Sequence, residues 1–219
     1  MTVDLRLNAI VDPERANGRD LAELARLCAQ GGATLVQLRD KHGDTGAMVE
    51  KARAIKQALA PFGAAFVVND RVDVALAAGA DGVHIGPEDM AVADARRLLG
   101  PHAIIGLSIK SVAEAEAAPI ELIDYVGSGG VYTTLSKEQK TPPIGPQGLA
   151  RIIAVLKRRK AKMPVCGIAG VDVSNAAEVI AAGADGIAVI SALSLVPDPA
   201  AAARTLRGIV DATLAKRGA

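Results

Sequence analysis

Short apolar runs rich in β-branched residues alternate with Ala-rich amphipathic stretches from one end of the chain to the other. The runs predict strands at Leu5–Val11, Thr34–Arg39, Ala64–Asn69, Gly82–Gly86, Ala103–Ser108, Tyr125–Gly129, Pro164–Gly170 and Gly186–Ser191. The stretches between them predict helices at Leu21–Gln30, Thr45–Leu59, Val72–Ala78, Val92–Leu99, Ser111–Ala117, Pro146–Lys160, Ser174–Ala182 and Ala200–Ala215. Asp20 before Leu21 and Ser174 before Asn175 are N-cap signals. Regular alternation of strand and helix predicts parallel βα units. Eight units suit a closed barrel, whereas an open doubly wound sheet uses roughly five or six strands. The expected fold class is therefore α/β, a single (β/α)8 TIM barrel that takes up residues 1–219 as one domain.

An internal echo supports repetition of one unit. Leu76–Gly86 reads LAAGADGVHIG and Ile180–Ile190 reads IAAGADGIAVI. In each, a helix ends at a glycine suited to positive φ, Gly79 or Gly183, and Asp-Gly turns the chain into the next strand. A spacing of about a hundred residues fits two quarter-turns of one barrel and is too sparse for a solenoid. The one long irregular stretch is Gly129–Gly145, rich in Thr, Lys, Pro and Gly, and loops of that length in compact domains often serve as lids.

Composition narrows the function classes. The chain has 219 residues, half of them hydrophobic, and a formal net charge of +1. Near-neutral charge implies no broad attraction to nucleic acid or to a membrane surface. The basic run Lys157-Arg158-Arg159-Lys160 reads as the solvated last turn of a helix, where cations suit the dipole. Cys28 and Cys166 form no close pair and read as buried thiols of a reducing compartment. The opening MTVDLRLNAIVD lacks a basic segment followed by a long apolar run, so a cytoplasmic location is expected. The sequence leaves open whether the chain forms a homo-oligomer.

In a (β/α)8 barrel the reactive groups sit at the C-terminal strand ends and in the loops that follow. Those ends are polar here. Gln37, Arg39 and Lys41 alternate at strand period and so share a face. An Arg fork beside a Lys point charge suits a diphosphate, although a solvated strand end with Arg39 capping a neighbouring helix is the plainer alternative. Asp70 and Asp89 follow adjacent strands and are hard oxygen donors suited to Mg2+ shared with phosphate, with Asn69 beside them; alternatively each caps the next helix. Thr134, Ser136 and Lys137 on the long loop suit oxyanion binding, or are simply polar. Gly170, Ile190 and Ser191 follow strands 7 and 8, where backbone N–H groups form the recurrent phosphate cradle of such barrels. Ser108 reads as a hydrogen-bond donor with no evident base nearby. His84 reads as a satisfied barrel-interior histidine rather than a catalyst, and His42 and His102 as surface residues. No Cys/His spacing suits zinc, and no Ser/His/Asp context appears.

These residues together resemble a known family. Gln37-Leu38-Arg39-Asp40-Lys41 resembles its QxRxK strand end, and Val68-Asn69-Asp70 with Asp81-Gly82-Val83-His84-Ile85-Gly86-Pro87-Glu88-Asp89 resembles its ND…DGxHxGqeD signature. Gly106-Leu107-Ser108, Asp124-Tyr125-Val126-Gly127, Thr134-Leu135-Ser136-Lys137 and Gly183-Ala184-Asp185-Gly186 through Ile190-Ser191 follow in family order. The family is thiamine-phosphate synthase. The resemblance implies that Gln37, Leu38, Arg39, Asp40, Lys41, Asn69, Ser108 and Lys137 hold hydroxymethylpyrimidine diphosphate. It further implies that Thr134, Leu135, Ser136, Gly170, Ile190 and Ser191 hold the thiazole phosphate, and that Asp70 and Asp89 bind Mg2+. The implied chemistry is dissociative loss of diphosphate, catalysed by Ser108, Lys137, Arg39 and Lys41, followed by attack of the thiazole nitrogen. The partners implied are small phosphorylated molecules, with no nucleic acid and no membrane. The chain departs from the family pattern in five places: Ala169 replaces the first of two glycines, Gly130 replaces a proline, Ser136 stands where Thr is common, Lys110 stands where a histidine is common, and the arginine often found in the later lid has no clear counterpart near Lys140-Thr141-Pro142. A related thiazole tautomerase would be expected to carry that histidine.

Overall fold

A computed structural model describes residues 3–136 and 141–218. Eight parallel strands close into a barrel in sequence order, β1 (Leu7–Val11), β2 (Leu35–Leu38), β3 (Ala65–Asn69), β4 (Gly82–Ile85), β5 (Ile104–Ile109), β6 (Tyr125–Gly129), β7 (Val165–Ile168) and β8 (Gly186–Val189). The seam is β8 against β1, with Leu7 opposite Ile187 and Ala9 opposite Val189. Helices on the outside are α1 (Leu21–Gln30), α2 (Thr45–Leu59), α3 (Val72–Ala78), α4 (Val92–Leu99), α5 (Val112–Ala117), α6 (Gly145–Arg159), α7 (Ala176–Ala181), the four-residue α8 (Ser191–Ser194) and α9 (Pro199–Gly218). The expected (β/α)8 architecture is thus present. No described helix is long and apolar enough to cross a membrane.

Strand alternation divides the side chains into two cores. Outward residues such as Val36, Leu38, Phe66, Val68, Val83 and Ile187 pack under the helices. Inward residues Leu35, Val67, Tyr125, Cys166, Ala188 and Ile190 fill the barrel. Cys28 lies in the outer core and Cys166 in the inner; both are free, and burial pushes each thiol up to about 12.

The Asp-Gly echo has a structural cause beyond the turn. The carboxylates of Asp81, Asp124 and Asp185, each just before an even-numbered strand, accept a hydrogen bond from the first turn-in of the preceding strand: Phe66 N at 2.8 Å, Ile105 N at 2.8 Å and Val165 N at 3.0 Å. Each also pairs with a cation on an outer helix, Lys56 at 2.5 Å, Arg96 at 2.7 Å and Lys157 at 2.8 Å. The side-chain oxygen of Thr34 accepts from Leu7 N in the same way before β2. These clamps tie strand, strand and helix together at the N-terminal face, leaving the opposite face to chemistry.

The differences from expectation lie at strand and helix ends. The expected strands ending at Arg39, Gly170 and Ser191 lose their ladder at Leu38, Ile168 and Val189. Ala169 (φ 81°) and Gly170 (φ 65°) are left-handed, which no strand accommodates, and Ile190 is already the N-cap of α8. The Ser174 cap is also displaced. Asn175 occupies the N-cap of α7, and the Ser174 N–H and hydroxyl both donate to Asp172 at 2.8 and 2.6 Å. Asp20 does cap α1, accepting from Glu23 N at 2.9 Å.

Candidate active site

The C-terminal mouth of the barrel encloses about 730 Å3, counting space open to solvent at its rim. Its floor is made by inward residues of β1, β7 and β8, among them Asn8, Ile10, Cys166, Ile168 and Ala188. Its wall carries Gln37, Arg39, Asn69, His84 and Ser108, and its upper edge Thr134, Ser136, Gly170, Ile190 and Ser191. Most residues singled out in the sequence therefore meet in one cavity.

Within that wall, Gln37 Nε2 donates to Asn69 Oδ1 at 2.8 Å, which fixes both amides across the β2–β3 pair. Arg39 does not cap a helix. Its guanidinium pairs with the buried Asp12, whose other carboxylate oxygen accepts from Glu14 N at 2.9 Å. Asp12 thereby aims the fork, and the remaining guanidinium N–H groups are available to a ligand.

Lys41 is not on the same face as Gln37 and Arg39. The ladder stops at Leu38, and Asp40 then bends the chain by accepting from His42 N at 3.3 Å and Gly43 N at 2.8 Å. Asp40 is held in turn by Lys51 Nζ at 2.7 Å. The Lys41 ammonium reaches Asp70 instead. Leu38 points into the outer core, Leu135 is 90% exposed, and neither lines the cavity. Lys137 lies outside the described residues.

Asp70 and Asp89 are not helix caps. The N-cap residues of α3 and α4 are Arg71 and Ala91, neither making a side-chain cap bond. Asp70 adopts φ 64°, a left-handed conformation that Asp tolerates better than most residues, and its N–H donates to His84 O at 2.8 Å. Asp89 Oδ2 accepts from Gly86 N at 2.7 Å. Burial pushes the Asp70 carboxyl up; the Lys41 ammonium opposes the rise, and the adjacent Asp89 carboxylate adds to it. Two close carboxylates beside a single ammonium form a donor set that fits a divalent cation. A pair is sufficient for Mg2+, which keeps waters and takes oxygens from substrate phosphates. Among the described residues no larger cluster of acidic, His or Cys side chains forms.

The long loop is anchored at both ends. Val131 N and Tyr132 N donate to Ile168 O and Ala169 O at 2.9 and 3.0 Å, and Ile144 N donates to Gly130 O at 3.0 Å. This sets Tyr132 and Thr133 beside Gly170 and leaves Thr134 and Ser136 on the edge of the same cavity, with Ser136 N donating to Thr134 Oγ1 at 3.1 Å. Ala169 occupies a conformation that glycine favours. Ala169→Gly should relieve about 1–2 kcal/mol of left-handed strain while adding about 0.4–1 kcal/mol of unfolded-state entropy. The expected net result is a small gain in stability, read as a thermal midpoint raised by a few degrees at most; a lower midpoint would contradict the strain argument.

Sequence reasoning missed Asn8, Ile10 and Cys166 as floor residues and understated His84. His84 Nε2 lies 2.9 Å from Ser108 Oγ and its Nδ1 lies 3.0 Å from Tyr125 Oη. A signal was available: Gly106 and Gly127 stand inside strands, and a strand-interior glycine marks a close approach.

Taken together, fold and cavity define a (β/α)8-barrel protein whose catalytic-end rim is arranged for small anionic ligands, with a fixed cationic fork, a carboxylate pair and bare backbone after β7 and β8. Residues 7–193 match the sequence profile of the family described as thiamine monophosphate synthase, and the chain belongs to that family. It is 50% identical over 215 residues to the thiamine-phosphate synthase of Agrobacterium fabrum, covering 98% of each protein. Over 204 residues it is 46% identical to the thiamine-phosphate synthase of Moorella thermoacetica, covering 93% of this chain and 95% of that one. Among solved structures, thiamine phosphate pyrophosphorylase from Pyrococcus furiosus superposes with a TM-score of 0.85 at 39% identity, covering 97% of this chain and 98% of the other.

Proposed function

We propose that this chain condenses 4-amino-2-methyl-5-(diphosphooxymethyl)pyrimidine with a thiazole phosphate, giving thiamine phosphate and pyrophosphate, as a cytoplasmic single-domain transferase. The observation that carries this reading is the meeting of Gln37, Arg39, Asn69 and Ser108 with Thr134, Ser136, Gly170 and Ser191 in one cavity. Two anionic substrates need two anion subsites within bonding reach of each other, and this cavity has donors on opposite walls.

In this reading Gln37, Asn69 and Ser108 orient the pyrimidine, and Arg39, Lys41 and Lys137 neutralise its diphosphate. Leu38 and Asp40 hold that segment in place, Leu38 from the outer core and Asp40 by closing the turn that sends Lys41 toward Asp70. Thr134, Ser136, Gly170, Ile190 and Ser191 take the thiazole phosphate, using hydroxyls and backbone N–H groups, while Leu135, with its side chain in solvent, only links Thr134 to Ser136. The methylene–oxygen bond breaks heterolytically: the electron pair leaves with the diphosphate, and the ring nitrogen of the thiazole then supplies the pair that forms the new carbon–nitrogen bond. The aminopyrimidine delocalises the intermediate positive charge, so the step asks the protein for leaving-group stabilisation and alignment rather than for a base. The cavity's histidine, His84, stands against Ser108 and Tyr125, so the expectation of no base near Ser108 is corrected, and the reaction as written draws on that imidazole for hydrogen bonding only. Asp70 and Asp89 would hold Mg2+, which when bound supplies further charge neutralisation to the diphosphate.

The tautomerase alternative gains no support from geometry. Lys110 is exposed, its N–H donates to Glu114 Oε2 at 2.6 Å, and it does not line the cavity. Lys110→Ala should leave coupling within about twofold of wild type, since exposed substitutions away from a site cost little.

The metal assignment has its own test. Stripping divalent ions with a chelator should abolish thiamine phosphate formation, and Mg2+ should restore it. Asp89→Asn should raise the Mg2+ concentration needed for half-maximal rate by tenfold or more, a loss of about 1.4 kcal/mol or more in binding. Full turnover in metal-free buffer would remove Mg2+ from the account.

A further inference from the structure

The geometry points to a proton-ordered relay, Tyr125 to His84 to Ser108, that fixes the Ser108 hydroxyl as a hydrogen-bond donor toward the pyrimidine diphosphate. It rests on the reading of the cavity given above and adds two positioning residues that neither the rim nor the carboxylate pair requires.

The relay runs across three neighbouring strands. His84 is on β4, Ser108 on β5 and Tyr125 on β6. Tyr125 is fully buried in the inner core, and its hydroxyl has one partner among the described residues, His84 Nδ1 at 3.0 Å. Burial keeps this phenol protonated far above the ordinary range. A buried O–H left without an acceptor is costly, so the phenol proton goes to Nδ1. Nδ1 must then be the bare nitrogen of a neutral imidazole, which places the ring proton on Nε2. Nε2 lies 2.9 Å from Ser108 Oγ and so donates to it. Ser108 accepts there, and its own proton is left to point into the cavity that it lines.

The slot for the imidazole is built rather than incidental. A Cβ at Gly106 would lie 2.2 Å from Tyr125 Cζ and 2.5 Å from His84 Nδ1. A Cβ at Gly127 would lie 3.0 Å from His84 Cε1. Two consecutive strands thus omit a side chain where the histidine and tyrosine rings pass, their centroids 5.4 Å apart.

The test uses the full-length protein labelled with 15N-histidine. Long-range proton–nitrogen NMR should show one ring with Nε2 protonated and Nδ1 bare, assigned by its disappearance in His84→Gln. Tyr125→Phe should abolish that single tautomer by removing the donor to Nδ1. The second arm follows pyrophosphate release in a single turnover. His84→Gln keeps an N–H near the Nε2 position and should stay within about threefold of wild type. His84→Leu should lose about tenfold or more, the equivalent of one hydrogen bond to a reacting ligand, while the Gln variant shows that the fold tolerates replacement. A ring protonated on Nδ1, or equal losses in the Gln and Leu variants, would overturn the relay. If His84→Leu does not fold, the tautomer and the Gln variant still decide. A correct tautomer in a protein that performs no coupling would sink the proposed reaction and leave the relay standing.

Discussion

Arg39→Ala should lose both stability and activity, and the two losses should separate genetically. The guanidinium is the partner of Asp12, whose side chain is 1% exposed. Removing one member of a buried ion pair strands the other, a cost of about 3–5 kcal/mol. The same change removes the fork from the diphosphate wall, and loss of a charge-assisted contact to a leaving group costs about a hundredfold in rate or more. Adding Asp12→Asn to the variant removes the stranded charge and should recover much of the stability, but none of the rate. Urea unfolding reads the first quantity and single-turnover formation of thiamine phosphate the second. Recovery of rate along with stability would mean that Arg39 acts only by holding the loop after β1, and its assignment to the diphosphate would fall.

Gly170→Ala should act on the other substrate. Gly170 has φ 65°, and a Cβ there would lie 2.4 Å from Thr133 O and 2.7 Å from Tyr132 Cβ. Both neighbours belong to the loop that carries Thr134 and Ser136, so the added methyl must push that loop away from the turn after β7. Two or so charge-assisted hydrogen bonds to the thiazole phosphate would be weakened, at roughly 1.5–3 kcal/mol for each one lost outright. The expected result is a KM for the thiazole phosphate raised about a hundredfold, with the KM for the pyrimidine diphosphate changed by less than about threefold. A selective rise in the pyrimidine KM instead would exchange the two subsites.

The barrel was legible because its signal is local. Short β-branched apolar runs, Ala-rich helical stretches and turn residues repeat eight times, and each can be recognised within a dozen or so residues. The strand ends were read too long at the catalytic face for an equally local reason. Apolar residues continue through Ala169 and Ile190, whereas the ladder has already ended because the backbone turns left-handed or enters α8. In the candidate site, the residues themselves were visible in short motifs, but their partners were not. Nothing in spacing links Arg39 to Asp12, Lys41 to Asp70, or His84 to Ser108 and Tyr125, because parallel pairing of neighbouring strands, with a helix between them in sequence, creates those contacts. The Asp of each Asp-Gly echo was seen as a turn former. Its larger role, clamping the preceding strand and an outer helix, depends on partners such as Phe66 and Lys56 that local periodicity cannot single out.

The central claim is that one cavity joins two phosphorylated heterocycles with loss of pyrophosphate. The most direct measurement mixes the purified chain with the pyrimidine diphosphate, the thiazole phosphate and Mg2+, and follows both products in one reaction. Thiamine phosphate and inorganic pyrophosphate should appear in equal amounts, and omission of either heterocycle should prevent thiamine phosphate from forming. Binding of both heterocycles without thiamine phosphate, or isomerisation of the thiazole phosphate without coupling, would contradict the account.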